Sequence, residues 1–194
     1  MKNLQPKLKK IFNLAKDGDA LIFKAAGINH APMELATGGE WTHCGTVWNV
    51  ERKEGEMSFN LSEQTFFGGK FDRVKISLVG GVYAAHNYHR LVDSEDIFLK
   101  RIPKKLTKAQ HRIGLADAIN QIGKRYGYLS LFLGFSFLEK ILPQSIEDKL
   151  NKYLFNNERV CSPHVAIQFS KMSLIEFKKE MFYSPTDIHD LDFK

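Results

Sequence analysis

The chain has 194 residues and is 43% hydrophobic, 26% charged and 12% aromatic, which excludes disordered and fibrous classes. A chain of this length buries roughly 70% of the surface its unfolded form exposes, so it folds without a disulfide or structural metal. Two cysteines, Cys44 and Cys161, exclude a disulfide scaffold and a Cys-rich zinc site, and a net charge of +6 is too small to name a partner.

The N-terminus is basic, with Lys2, Lys7, Lys9 and Lys10. Lys16 and Asp17 end the apolar stretch that starts at Ile11 well short of a signal-peptide core. Leu8, Ile11, Phe12 and Ala15 fall at helical spacing, so residues 1–16 read as an amphipathic helix. The longest apolar window, Tyr126 to Leu138, is too short for a ~30 Å bilayer. These features predict a cytoplasmic protein with reduced thiols, whose basic N-terminus suits an anionic membrane surface.

Asp17-Gly18-Asp19 signals a turn, and residues 20–24 read as a strand. Residues 25–41 read as loop, and 42–50 as a strand carrying His43 and Cys44. Glu51 to Gly55 reads as a charged hairpin turn, and Met57 to Glu63 alternates like a half-buried strand. Gly68-Gly69 is read as a break, followed by strands at 72–79 and 97–102.

Helices are expected later. Thr107 is a good N-cap, and Ile113, Leu115, Ala116, Ile119 and Ile122 form a helical stripe ending at Gly123. Further helices are predicted near residues 126–138 and 145–154, and one opens at Ser162-Pro163. The segment after Tyr183 reads as loop. Strands first and helices later predict a single α+β domain over residues 1–194, with the N-terminal helix at 1–16 and the main body at 17–194.

Cys161 is the sharpest chemical feature. It stands at or one residue before a helix start, where free N–H groups and the positive dipole end favour a thiolate. A lone cysteine is also commonly a small buried hydrophobe. Cys44 lies inside a strand and reads as core. Successive strand residues point to opposite faces, so Cys44 and His43 are not expected to look into one site. Among seven histidines, His43 alone sits in a strand beside a small residue, Gly45, where a rigid element can aim it. That makes it the best candidate base for a thiol nucleophile. Glu63 reaches a ring nitrogen of His43 if the two strands pair, and is otherwise an exposed carboxylate.

These residues resemble a family. Gly18-Asp19-Ala-Leu-Ile-Phe followed by Thr42-His43-Cys-Gly-Thr-Val is similar to the opening of circularly permuted papain-like enzymes of the YiiX-like group. That group comprises permuted relatives of NlpC-type peptidases and of lecithin:retinol acyltransferase-like proteins. The likeness continues in order through Phe59-Asn-Leu-Ser-Glu63, Phe98-Leu-Lys-Arg101, Gly123-Lys-Arg-Tyr126, Arg159-Val-Cys161-Ser162 and Tyr183-Ser-Pro185-Thr-Asp187. It departs at Pro163-His164, where the family has glutamate after Cys-Ser, and at Cys44, where it has an aliphatic residue.

The resemblance implies a permuted papain-like, NlpC-like fold built on an antiparallel sheet. It implies an amidase, peptidase or acyl hydrolase with Cys161 as nucleophile, His43 as base and Glu63 orienting it. Tyr126, Tyr128 and Ser162 would line the substrate pocket. The substrate would be a peptide, peptidoglycan-like or lipid acyl group, and no cofactor or metal is implied. The competing expectation is a catalytically idle binding module on the same fold, phage- or membrane-surface-associated, in which the three residues do not converge.

Weaker signals carry less. His86-Asn-Tyr-His89 has metal-like spacing but no further ligand at suitable spacing. The glycine pairs lack the residues of a phosphate loop. The second basic cluster, Lys100 to Arg112, interleaves with Phe98 alone, which disfavours nucleic acid.

Overall fold

The computed structural model describes residues 4–26, 39–65, 68–86, 91, 93–124, 161–176 and 183–194. The expected helices within 126–138 and 145–154 lie outside them. The architecture is α+β. Six strands, β1 (Ala20–Lys24), β2 (His43–Lys53), β3 (Glu56–Thr65), β4 (Gly68–Val79), β5 (Val82–His86) and β6 (Asp96–Lys100), make one sheet. Their order is β5-β4-β3-β2-β1-β6, and every neighbouring pair is antiparallel. Helix α1 (Leu4–Leu14) precedes the sheet; α2 (Lys108–Asn120), α3 (Cys161–Lys171) and α4 (Pro185–Asp190) follow it.

Alternation along the strands gives the sheet two apolar faces. Leu21, Phe23, Val47, Phe59, Leu61 and Ile76 pack with Leu8 and Ile11 of α1 and with Ala15 just after it. Ala20, Ile22, Cys44 and Trp48 pack instead with Val165, Ala166 and Phe169 of α3 and Ile188 of α4. The helical spacing of Leu8, Ile11 and Ala15 is therefore spent on the sheet. Burying each such aliphatic side chain contributes roughly 1.5–3 kcal/mol before chain entropy is charged against it.

Several boundaries differ from those expected. Strand β2 runs through Lys53, so only Glu54-Gly55 turns, and Gly55 takes a φ of 68° there. Gly68-Gly69 does not break the chain: both residues pair with β3 at the start of β4. The glycine serves close approach, because a Cβ on Gly69 would stand 1.8 Å from the Gln121 carbonyl oxygen. Without side chains, β4 accepts the end of α2 through Gly69 N–H to Lys124 O (2.9 Å) and Gly123 N–H to Gly69 O (3.0 Å).

Helix α2 starts at the expected cap, with Thr107 and Gln110 forming a reciprocal capping box. Its buried side is not the predicted stripe. Gly114, Asp117 and Ala118 face inward, whereas Ile113, Ile119 and Ile122 are exposed. The reason is Trp48: a Cβ on Gly114 would stand 2.3 Å from its ring, so the small side of the helix has to face it. The segment after Tyr183 is a helix rather than a loop. Ser184 caps α4 in a capping box with Asp187, and Pro185 opens it.

Asp17-Gly18-Asp19 is a framework turn. Gly18 has φ 88°, and a Cβ there would meet Leu106 at 2.7 Å. Asp19 is fully buried and accepts the N–H groups of Lys16 and Ile102 at 3.0 Å each. Burial lifts its carboxyl from 3.8 to about 6 against the pull of those N–H groups. The folded chain therefore holds this proton to higher pH than the unfolded chain, and stability falls as pH rises between 3.8 and about 6. Asp19→Asn is expected to remove that slope and to cost ~1–3 kcal/mol, since an amide accepts only one of the two bonds. Denaturant midpoints measured from about pH 4 to about pH 7 check this. An unchanged slope would count against it.

Candidate active site

Strand β2 delivers His43 as its first residue, and β3 delivers Glu63. The register pairs Gly45 with Glu63, which sets the carboxylate diagonally across from His43 on the same face. The two meet at 2.6 Å, His43 Nε2 to Glu63 Oε2, with side chains 5% and 2% exposed. A buried carboxylate at this distance fixes the ring and favours its protonated form. Phe23 flanks the imidazole, ring centroids 5.9 Å apart.

Gly45 makes the pairing fit. A Cβ there would lie 2.7 Å from the Ser62 carbonyl oxygen and 3.1 Å from the Glu63 Cβ. Gly45→Ala is expected to displace Glu63 and to destabilise the fold by ~1–3 kcal/mol. A thermal melt together with the Cys161 alkylation rate checks this, and no change in either would contradict the packing account.

Cys161 is the first residue of α3, is 3% exposed and is a free thiol. No acidic residue stands in the first turn of α3, and Lys171 sits in the last, so the helix dipole is unopposed at its N-terminus. The thiol is held well below its ordinary range. The largest cause is a hydrogen bond from the Cys44 side chain. The charge and hydrogen bond of His43 and a hydrogen bond from the Cys44 backbone N–H act the same way, against the desolvation of burial. Because Nε2 of His43 is taken by Glu63, Nδ1 is the ring nitrogen left for the sulfur.

Cys44 is buried in the core as expected, yet it does not stand apart from His43. Both side chains act on the Cys161 thiol, lowering it. Alternation fixes where a Cβ points and not what a side chain reaches. His43 opens β2, so its ring is at the strand end, while Cys44 faces α3 directly. Burial pushes the Cys44 thiol well up, and the neighbouring Cys161 and Glu63 charges push the same way. Cys44 thus remains the S–H donor and Cys161 the acceptor.

Helix α3 meets the sheet through polar side chains behind the sulfur. His164 shares a hydrogen bond with Ser62 Oγ (3.2 Å). Thr46 donates to Gln168 Oε1 (2.5 Å) and accepts from Trp48 Nε1 (2.9 Å). Ser162 is fully buried, and among the described residues its hydroxyl has no hydrogen-bond partner. Tyr126 and Tyr128 lie outside the described residues. Gln64 is also buried without an amide partner among those residues, its nitrogen 2.7 Å from where a Gly69 Cβ would stand.

The other titratable candidates have separate structural partners. His86 pairs with Ser77 (2.9 Å) and His111 with Asp17 (2.7 Å), while His89 lies outside the described residues. No group of three or more His, Cys, Asp or Glu able to hold a metal occurs among the described residues.

The sequence reading missed two contributors, the Cys44 contact and the Gly45 clearance. The Thr-His-Cys-Gly run carried both signals, since a cysteine beside the strand histidine and a glycine two residues after it are there to be read. The arrangement holds a thiolate, a buried imidazole and a carboxylate in one line of contacts. No family model, curated protein or solved structure matches this chain.

Proposed function

We propose that the chain is a cysteine hydrolase or acyltransferase of circularly permuted papain-like fold, acting on an amide or ester through a Cys161 acyl-enzyme. The observation that carries this reading is the buried His43–Glu63 pair, joined at 2.6 Å, together with the buried Cys161 at the start of α3, whose thiol the His43 charge helps to hold below its ordinary range. The idle-module alternative expects those residues to stand apart. The order of the parts supports the permuted fold, with the histidine strand early in the chain and the cysteine helix late.

In this reading the Cys161 sulfur attacks the carbonyl carbon and the electron pair moves to oxygen. The Cys161 backbone N–H, which has no intrahelical acceptor at the first turn of α3, stabilises the oxyanion. His43 gives its Nδ1 proton to the departing amine or alcohol, leaving a thioester. It then takes a proton from water or another acceptor as that attacks, and the acyl group leaves the sulfur. Glu63 holds the ring in place and offsets its charge throughout.

The substrate is a peptide, peptidoglycan-like or lipid acyl group, and the anionic surface expected for the N-terminus remains part of the proposal. Contact there would be electrostatic, because the apolar side of α1 is covered by the sheet. Lys9 and Lys10 are exposed, whereas Lys7 pairs with Asp96 at 3.2 Å. Among the described residues no helix is long and apolar enough to cross a membrane.

Incubation with p-nitrophenyl acetate tests the chemistry. Intact mass should rise by one acetyl group, and peptide mapping should place it on Cys161. Failure to acetylate Cys161, with the fold intact by circular dichroism, would reject the acyl-enzyme.

A further inference from the structure

We propose that Cys44 is the resolving thiol of Cys161, so that a peroxide converts the pair into a reversible disulfide. The proposal rests on the reading of Cys161 as a reactive thiol and stands first on placement. Cys44 and Cys161 are both reduced and both buried in the same core cluster, where β2 packs against α3, and the Cys44 side chain is the largest influence lowering the Cys161 thiol. A thiol in this place also does what an aliphatic side chain filling the same core could not: it supplies a sulfur able to attack an oxidised Cys161.

The two partners differ in freedom. Cys44 lies in β2, paired at Ile22 in β1, so its backbone is held within the sheet. Cys161 is the first residue of α3, where the backbone N–H has no intrahelical acceptor and is not held by the helix ladder. The movement that closes the pair to an S–S length of ~2.05 Å therefore falls on the helix start.

The chemistry balances in two steps. The Cys161 thiolate attacks one peroxide oxygen and is oxidised to sulfenic acid, while the O–O bond breaks and hydroxide leaves. The protonated His43 supplies the proton that makes it water, and becomes neutral. Cys44 sulfur then attacks the Cys161 sulfur, displacing the hydroxyl. The Cys44 proton leaves with that hydroxyl as a second water, His43 relaying it. Loss of the negative charge at Cys161 removes an influence that holds the Cys44 proton. Overall the peroxide is reduced to two waters and two thiols are oxidised to one disulfide. The disulfide blocks further oxidation of Cys161 to the irreversible sulfinic acid, and a thiol reductant restores it.

The test treats the full chain with hydrogen peroxide and follows intact mass, free thiols and mapped peptides, with no need for a substrate. Wild type should lose about 2 Da and both free thiols, yield a linked Cys44–Cys161 peptide, and recover nearly all of its Cys161 thiol with dithiothreitol. In Cys44→Ser and Cys44→Ala, Cys161 should instead gain about 32 Da as sulfinic acid, with recovery cut at least about tenfold. Wild type that forms sulfinic acid as fast as the variants, with the Cys44 thiol intact, would overturn the proposal. Circular dichroism confirms that the variants fold, and the wild-type peptide map stands without them. A chain that acetylates Cys161 but forms no linked peptide rejects this inference alone. One that forms the linked peptide but never acetylates rejects the acyl-enzyme alone.

Discussion

Cys161→Ala is expected to abolish turnover of an acyl substrate, by at least about 10⁴-fold in kcat/KM, with the melting temperature little changed. The size follows from the dependence of both steps on sulfur: without it no thioester forms, and His43 has nothing to activate. Cys161→Ser should be nearly as inactive. Its hydroxyl ionises far less readily than a thiol, and the hydrogen bond from Cys44 that favours a thiolate does not bring a serine near ionisation. Stopped assays with p-nitrophenyl acetate and with a peptide amide measure both variants. Residual turnover within about tenfold of wild type in either would show that the chemistry lies elsewhere.

Replacing Glu63 should have the second-largest effect, and it should act on stability as well as rate. The carboxylate and imidazole are 5% or less exposed, so Glu63→Ala leaves His43 buried without its counter-charge. Breaking a buried pair by removing one partner costs about 3–5 kcal/mol, of which much is the stranded group. Glu63→Gln keeps the shape and one hydrogen bond but loses the charge. It should cost less stability while still lowering kcat by about 10²–10⁴-fold, because the imidazolium is no longer offset and the tautomer no longer fixed. Loss of His43 charge also removes one cause of the low Cys161 range, so the pH at which Cys161 becomes reactive should move up. Equal melting temperatures for wild type and Glu63→Ala would contradict the pairing.

Much of this framework was legible from residue order. A short apolar run located β1, period-2 alternation located most of β3, and Thr107 marked the start of α2 through its own capping chemistry. Glu63 is legible only on the condition that the two strands pair, and the register of β2 against β3 meets that condition. What escaped depends on contacts between distant residues. The inward side of α2 is set by the bulk of Trp48 against Gly114, and a hydrophobicity pattern does not record which neighbour needs room. Gly68-Gly69 resembled a chain break because the pressure from Gln121 comes from more than fifty residues further along. Strand β5, whose side chains are mostly exposed, has no apolar alternation to reveal it. Cys44 was placed correctly in the core, but the sulfur facing it belongs to a helix far away in sequence.

The central claim is that Cys161 is a thiolate held by His43 and Cys44, and the rate of Cys161 alkylation by iodoacetamide against pH tests it most directly. A thiol held well below its ordinary range should keep close to its full rate at about pH 6, and His43→Ala should bring the fall-off toward neutral pH. A rate that drops about tenfold for each pH unit below ~8.5, the same in wild type and His43→Ala, would contradict the account.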